Sequence, residues 1–293
     1  MTNTNKRRRS TRGSTTALAT LAGDNGSDVQ RDNKKQKAAI KRKSHWSRPG
    51  VEAAARLASL PISSPSANSN TIQNSVTSWN IALQHYKAMI KVKDGTKLYN
   101  LDQQRDAIAA QWRDNCKQNG KCEMTKDQLC NIIIPWKFLK GKPRNALKPL
   151  LQSNKEEDVI ETSKAAFKFA NASNSNNNVK NVKEAINSLC QLSGVGPATA
   201  SAVLSAYCPK SFAFMDDEVI ECLYDAKRGY TLKIYMAVND RCVYIAKELN
   251  KVDDSSDNDG GWTPADVAKS LWTVATMSAK SDDEGLGKVF GDK

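Results

Sequence analysis

The residues whose types and spacing can do chemistry fall in one stretch. Leu192-Ser193-Gly194-Val195-Gly196-Pro197-Ala198-Thr199-Ala200 joins the end of an apolar stripe to a run of small residues, and 24 residues after Leu192 comes Asp216-Asp217-Glu218. Two glycines in the bend admit positive φ and leave amides free of side-chain cover. Those N–H groups, with the N-terminus of the next helix, form a nest for a phosphate oxygen. Such a nest, built on Leu192, Gly194, Val195, Gly196, Pro197 and Thr199, grips a DNA backbone without reading sequence. The same pattern also suits an ordinary αα-hairpin with a glycine-rich turn. The carboxylate of Asp216, or of Asp217 should the connector slip by one, can stabilise positive charge or activate water. At a helix start, the dipole and free amides should lower the Asp216 pKa, and an Asp there is also a common helix cap. Lys137, Lys140, Lys142 and Arg144 form a basic patch suited to line a DNA track, or else a solvated helix end.

Helices must hold these groups. From about Asn74 onward, apolar residues recur at three- and four-residue spacing instead of alternating. Val76, Trp79, Leu83, Tyr86 and Ile90 make the first stripe, and Asp102 to Cys116 the second. Thr125 with Gln128 reads as a capping box leading toward Trp136. Short helices are expected over 144–151 and 156–169, then a polar loop over 171–178. The stripe from Val179 to Cys190 and the Ala-rich run after Pro197 frame the bend, giving a hairpin over 179–207. Further stripes cover 232–249 and 264–276, the last with Thr263 as N-cap and Pro264 at its first position. The acidic stretch 253–261 reads as a loop. Trp79, Trp112, Trp136 and Trp272 each lie on an apolar stripe and should be core. The expected fold is a mostly α domain over 71–278, between a disordered basic arm over 1–70 and a frayed tail over 279–293.

The bend, the extended-looking Ser211-Phe212-Ala213-Phe214-Met215 and Asp216 together resemble the helix-hairpin-helix DNA glycosylase superfamily. Trp136-Lys137-Phe138-Leu139-Lys140-Gly141-Lys142-Pro143-Arg144 and the stretch from Leu150 to Asn154 narrow the likeness to the Amun-like eukaryotic nuclear proteins, over about residues 76–276. The resemblance implies a glycosylase-like helical domain on double-stranded DNA, base excision from a flipped-out nucleotide, and Asp216 as the catalytic carboxylate. Bifunctional members hold a lysine where Ala198 stands here, which implies base release without strand cleavage; Lys210 sits at the wrong spacing to replace it. Only Cys222 and Cys242 follow Asp216, too few for the iron–sulfur cluster some members carry. No metal or other cofactor is expected. The alternative is a catalytically silent module that keeps the fold and acts on DNA in chromatin or transcription.

Composition sets the frame. The 293 residues carry 44 Lys and Arg against 31 Asp and Glu, a net +13. Residues 1–50 hold thirteen of those cations and three aspartates, so +10 of the charge sits there. That segment is polar and poor in aromatics, too apolar-poor to offset the ordering of its chain. Its clusters Lys6-Arg7-Arg8-Arg9 and Lys34 to Lys43 suit nuclear import machinery, a nuclear location and loose phosphate contact. No apolar run approaches the ~18 residues of a membrane span, and no apolar stretch follows the basic start as in a secretory signal. Seven cysteines without a CxxC pair and two histidines argue against a disulfide framework and a zinc site. Cys116, Cys122, Cys130, Cys190 and Cys208 read as buried small hydrophobes.

Overall fold

Apolar side chains at helical spacing make the protein helical throughout the residues that a computed structural model describes, 50–62, 67–174, 178–224, 229–252 and 261–291, with no strand among them. The chain runs through α1 (Val51–Ala58), α2 (Ser69–Gln84) and the long α3 (Tyr86–Asn119), which kinks where Asp94 and Gly95 leave helical geometry. A short α4 (Lys126–Gln128), a π-helical turn (Leu129–Ile133) and α5 (Ile134–Lys140) follow as one continuous rod. A 3₁₀ turn (Asn145–Leu147) leads into α6 (Lys148–Ser153), α7 (Glu156–Asn174) and α8 (Val179–Leu189). Then come α9 (Pro197–Tyr207), α10 (Asp217–Tyr224), α11 (Leu232–Val252), α12 (Pro264–Ala279) and α13 (Asp283–Phe290).

Local signals explain several boundaries. Thr125 Oγ1 accepts from the Gln128 amide while Gln128 Oε1 accepts from the Thr125 amide, so the expected capping box forms. Thr263 caps α12 through the Asp266 amide. The four tryptophans on apolar stripes are all fully buried.

Three boundaries differ from the sequence reading. The folded part begins before residue 71, because α1 buries Val51, Ala54 and Leu57. Gly50 (φ +98°) lies so close to α12 that a Cβ would collide with the Ala275 carbonyl oxygen. The tail is not frayed over 279–293: α13 is capped by Asp282, buries Val289, and presents Phe290 to the Arg56 guanidinium at 4.0 Å. The polar loop is shorter than 171–178, since α7 continues to Asn174. The polar residues flanking α1 and the glycines within α13 hide short helices that packing on the core holds in place. The basic clusters, the rest of the expected arm to residue 49, and acidic residues 253–260 lie outside the described residues.

The cysteines also depart from expectation. Cys116 and Cys122, six residues apart, form a disulfide at the end of α3. Of the remaining three expected as buried, only Cys208 is; Cys130 and Cys190 are half-exposed. An odd total excludes full pairing, not a single local pair.

Candidate functional site

The small residues of α9 let it sit at the centre of the molecule, buried from Ala198 to Tyr207. Two arginines of α3 anchor its far end. Arg105 donates to the Ala202 carbonyl and to Ser205 Oγ at 2.7 Å, and Arg113 donates to the Ala206 carbonyl at 2.6 Å. Cations at the carbonyl end of a helix complement its dipole. The Arg105 guanidinium is itself stacked 4.1 Å from the Trp136 ring.

At the other end of α9 lies the bend. Of its two glycines only Gly194 takes positive φ, +77°, whereas Gly196 is extended at φ −114°. The expectation that both glycines serve a left-handed turn is therefore corrected. A Cβ on Gly194 would lie 3.1 Å from side-chain atoms of Leu150 and Leu151, while one on Gly196 would meet nothing within 4 Å. Asn154 clamps the bend, its Oδ1 accepting from the Ser193 amide at 2.8 Å and its Nδ2 donating to the Ser193 carbonyl at 3.0 Å. The Val195 amide donates to the Leu192 carbonyl and the Thr199 amide to the Gly196 carbonyl. The amides of Gly194, Gly196 and Ala198 donate to no group among the described residues. Leu192, Val195 and Thr199 bury their side chains and spend their amides on carbonyls of the chain itself, which corrects the expectation that these three contact a phosphate; Gly194, Gly196 and Pro197 are partly exposed.

Ser201 and Asn239 fix the connector from α9 to α10. Ser201 Oγ accepts from the Met215 amide at 3.1 Å, and Asn239 binds both the Ala213 amide and the Ser211 carbonyl. Asp216 thereby stands just before α10, 3% exposed, its carboxylate accepting from Lys140 Nζ. Lys140 is 2% exposed and ringed by aromatic faces, those of Trp272, Phe214, Trp136 and Tyr86 at 4.3 to 5.7 Å from Nζ. Its place on a surface basic patch is thus corrected: α5 turns it inward, where ring faces and one carboxylate compensate its charge. Lys142 and Arg144 remain exposed, Arg144 lying 4.6 Å over the Tyr230 ring.

The electrostatics of Asp216 also differ from expectation. Burial pushes its carboxyl up to about 6, against the pull of Lys140, with Glu218 and Asp217 adding to the rise. Loss of solvent outweighs any help from the helix end. Burial likewise lowers Lys140 despite Asp216.

Two small cavities flank the pair. One, of about 10 Å³, touches Lys140, Asp216, Tyr86 and Arg105. The other, of about 30 Å³, is a cleft bringing Lys137, Lys142 and Arg144 of one segment to Ala198, Asp216 and Asp217. Tyr230 closes it, donating to Asp217 Oδ1 at 2.5 Å. Within it burial and the Arg144 charge bring Lys137 down to about 8. A space of this size holds a water, and a nucleobase requires several times more.

Of the residues singled out from the sequence, Asp216, Asp217, Lys142 and Arg144 meet at this cleft, to which the bend and the start of α9 contribute Ala198 alone. The sequence reading missed the inward turn of Lys140, and the supports Asn154, Asn239 and Arg105. Asn154 falls in the Leu150–Asn154 stretch of the resemblance; the other two carry no motif. No three His, Cys, Asp or Glu side chains are grouped to hold a metal among the described residues, and no described helix is long and apolar enough to cross a membrane. No protein-family model matches the chain, and no curated protein or solved structure matches it.

Proposed function

We propose that this chain is a helix-hairpin-helix protein that binds double-stranded DNA through its backbone, without sequence preference. The observation carrying this reading is the convergence of two features at one cleft. Lys142 and Arg144 line the same space as Ala198, whose amide, with those of Gly194 and Gly196, makes no hydrogen bond among the described residues. Cations and free amides at the start of a helix are what a phosphate requires. The basic clusters between Lys6 and Lys43 support nuclear import and add salt-sensitive affinity. Full-length protein should bind unrelated duplexes with equal affinity, measured by fluorescence anisotropy across a salt series. Lys142→Glu with Arg144→Glu should weaken all of them about tenfold or more, since each phosphate contact adds to the salt-dependent term. Equal binding by wild type and double variant would refute the assignment.

A second reading, monofunctional base excision, draws on Asp216 and Asp217 lining that cleft. It requires the cleft to open from about 30 Å³ to the size of a base. Duplexes carrying a panel of damaged bases, treated with hot alkali after incubation, test it. Breaks that disappear in Asp216→Asn or Asp217→Asn while binding persists support excision. Uncut duplexes across the panel leave DNA binding as the whole activity.

A further inference from the structure

A cavity of about 670 Å³ lies not beside Asp216 but on the other side of α5. Its volume falls within the range of small-molecule sites. Three irregularities of the backbone open onto it. The α3 kink brings Lys93, Asp94 and Lys97 to its rim, the π-helical turn brings Cys130 and Asn131, and the segment after α5 brings Gly141 and Pro143. π-Helical turns are rare and are frequent at functional sites, and the α3 kink falls at a glycine, Gly95.

The lining has three kinds of chemistry. The floor is apolar, with Ile134, Phe138 and Leu151 buried. The rim is cationic, Lys93, Lys97 and Lys148 standing against Asp94 alone. The side-chain amides of Asn145 and Gln152 each supply a donor and an acceptor, and Asn131, whose Nδ2 donates to Asp127 Oδ1, adds an acceptor. A flat heteroaromatic body suits the floor, an edge with alternating donors and acceptors suits the amides, and a phosphate suits the lysines. We infer that this cavity is a nucleotide site that takes a nucleoside 5′-monophosphate group, free or within a single strand. It is independent of the proposed duplex grip, which uses the opposite cleft. Leu151, on the cavity floor, is already buried beneath Gly194.

Titration calorimetry on the full chain tests this, with AMP, GMP, CMP and dTMP, the matching nucleosides, inorganic phosphate, and a short single-stranded oligonucleotide. At least one monophosphate should bind about tenfold or more tightly than both its nucleoside and inorganic phosphate, because base and phosphate contacts add. Lys97→Glu and Lys148→Glu, both exposed positions, should each reduce that affinity severalfold without changing helical content. Gln152→Trp, also exposed, should obstruct the opening and serves as a charge-neutral check. An oligonucleotide that the monophosphate displaces identifies a strand as the source; monophosphate binding without oligonucleotide binding identifies the free nucleotide. Monophosphates that bind no better than phosphate, or equally well in all three variants, overturn the inference. None of these outcomes bears on duplex binding, which Lys142→Glu with Arg144→Glu reads separately.

Discussion

Lys140 and Asp216 form a buried ion pair between α5 and the start of α10, with four aromatic rings around the ammonium. Burial opposes both charges, raising the carboxyl to about 6 and lowering the amine. Replacing such a pair by apolar side chains is often neutral or stabilising, so its presence argues for a role other than stability. It also joins the two segments that frame the cleft, since α5 leads to Lys142 and Arg144 and the pair's other half adjoins Asp217.

Removing one partner should cost more than removing both. Lys140→Met leaves a carboxylate in an apolar cage and should lower stability at pH 7 by about 3–5 kcal/mol, the usual penalty for an orphaned buried charge. Adding Asp216→Leu should recover most of it, because methionine and leucine suit a site lined by rings. Urea denaturation of the two variants measures the difference; equal losses would mean the charges do not compensate each other.

Stability should respond to pH through Asp216. Its folded value of about 6 lies above the ordinary 3.8, so the folded protein holds this proton more tightly than the unfolded chain. The contribution is complete below about pH 4 and is lost as pH rises through 6, amounting to about 3 kcal/mol. Denaturation of wild type and Asp216→Asn at pH 4, 5, 6 and 7 should therefore show wild type losing ground to the variant over that interval. A constant difference would place the carboxyl at an ordinary pKa.

Lys137 should make DNA binding sensitive to alkaline pH. Its ammonium, brought down to about 8, is charged at pH 7 and mostly neutral at pH 9. If it faces phosphate with Lys142 and Arg144, the slope of log affinity against log salt should shrink by about one contact between those pH values. Lys137→Gln should show the smaller slope at both. A slope that is unchanged with pH in wild type would remove Lys137 from the DNA-facing set.

How far the sequence foretells this arrangement depends on the range of the interaction involved. Periodicity placed the stripes of Val182 to Leu189 and of Val267 to Trp272, and cap chemistry placed Thr125 and Thr263, because both are local properties. Lys140 is different. Its neighbours Lys137, Lys142 and Arg144 make it read as surface, and only the aromatic residues of α3, α5, α12 and the connector, up to 132 positions away in the case of Trp272, decide that it turns inward. Asp216 fails for the same reason: the local dipole argument is sound, but tertiary burial outweighs it. Arg105 and Asn239 act across 97 and 26 residues and leave no short-range trace.

The disulfide should stabilise the end of α3. Closing the short loop between Cys116 and Cys122 restricts the unfolded chain by about 2 kcal/mol. The Cys116 sulfur also accepts from Tyr207 and Asn171, both at 3.5 Å, linking this turn to the ends of α9 and α7. Thermal unfolding with and without a reducing agent should show the reduced protein melting lower, and Cys116→Ser with Cys122→Ser should match the reduced state and ignore the reagent. Identical melting in both conditions would mean the thiols are unpaired in solution.

The two glycines of the bend separate fold from function. Gly194→Ala forces an L residue to φ +77° and brings its Cβ within 3.1 Å of Leu150 and Leu151, which should destabilise the protein by about 1–2 kcal/mol or more. Gly196 is extended with open space around it, so Gly196→Leu should leave stability within about 1 kcal/mol of wild type, the range of an exposed loop change. Its side chain would nevertheless stand over the free amides. Duplex affinity should therefore fall severalfold in Gly196→Leu for every sequence alike, with denaturation midpoint nearly unchanged. Retained affinity in that well-folded variant would show that the bend does not touch the DNA backbone, whatever Gly194→Ala does to stability.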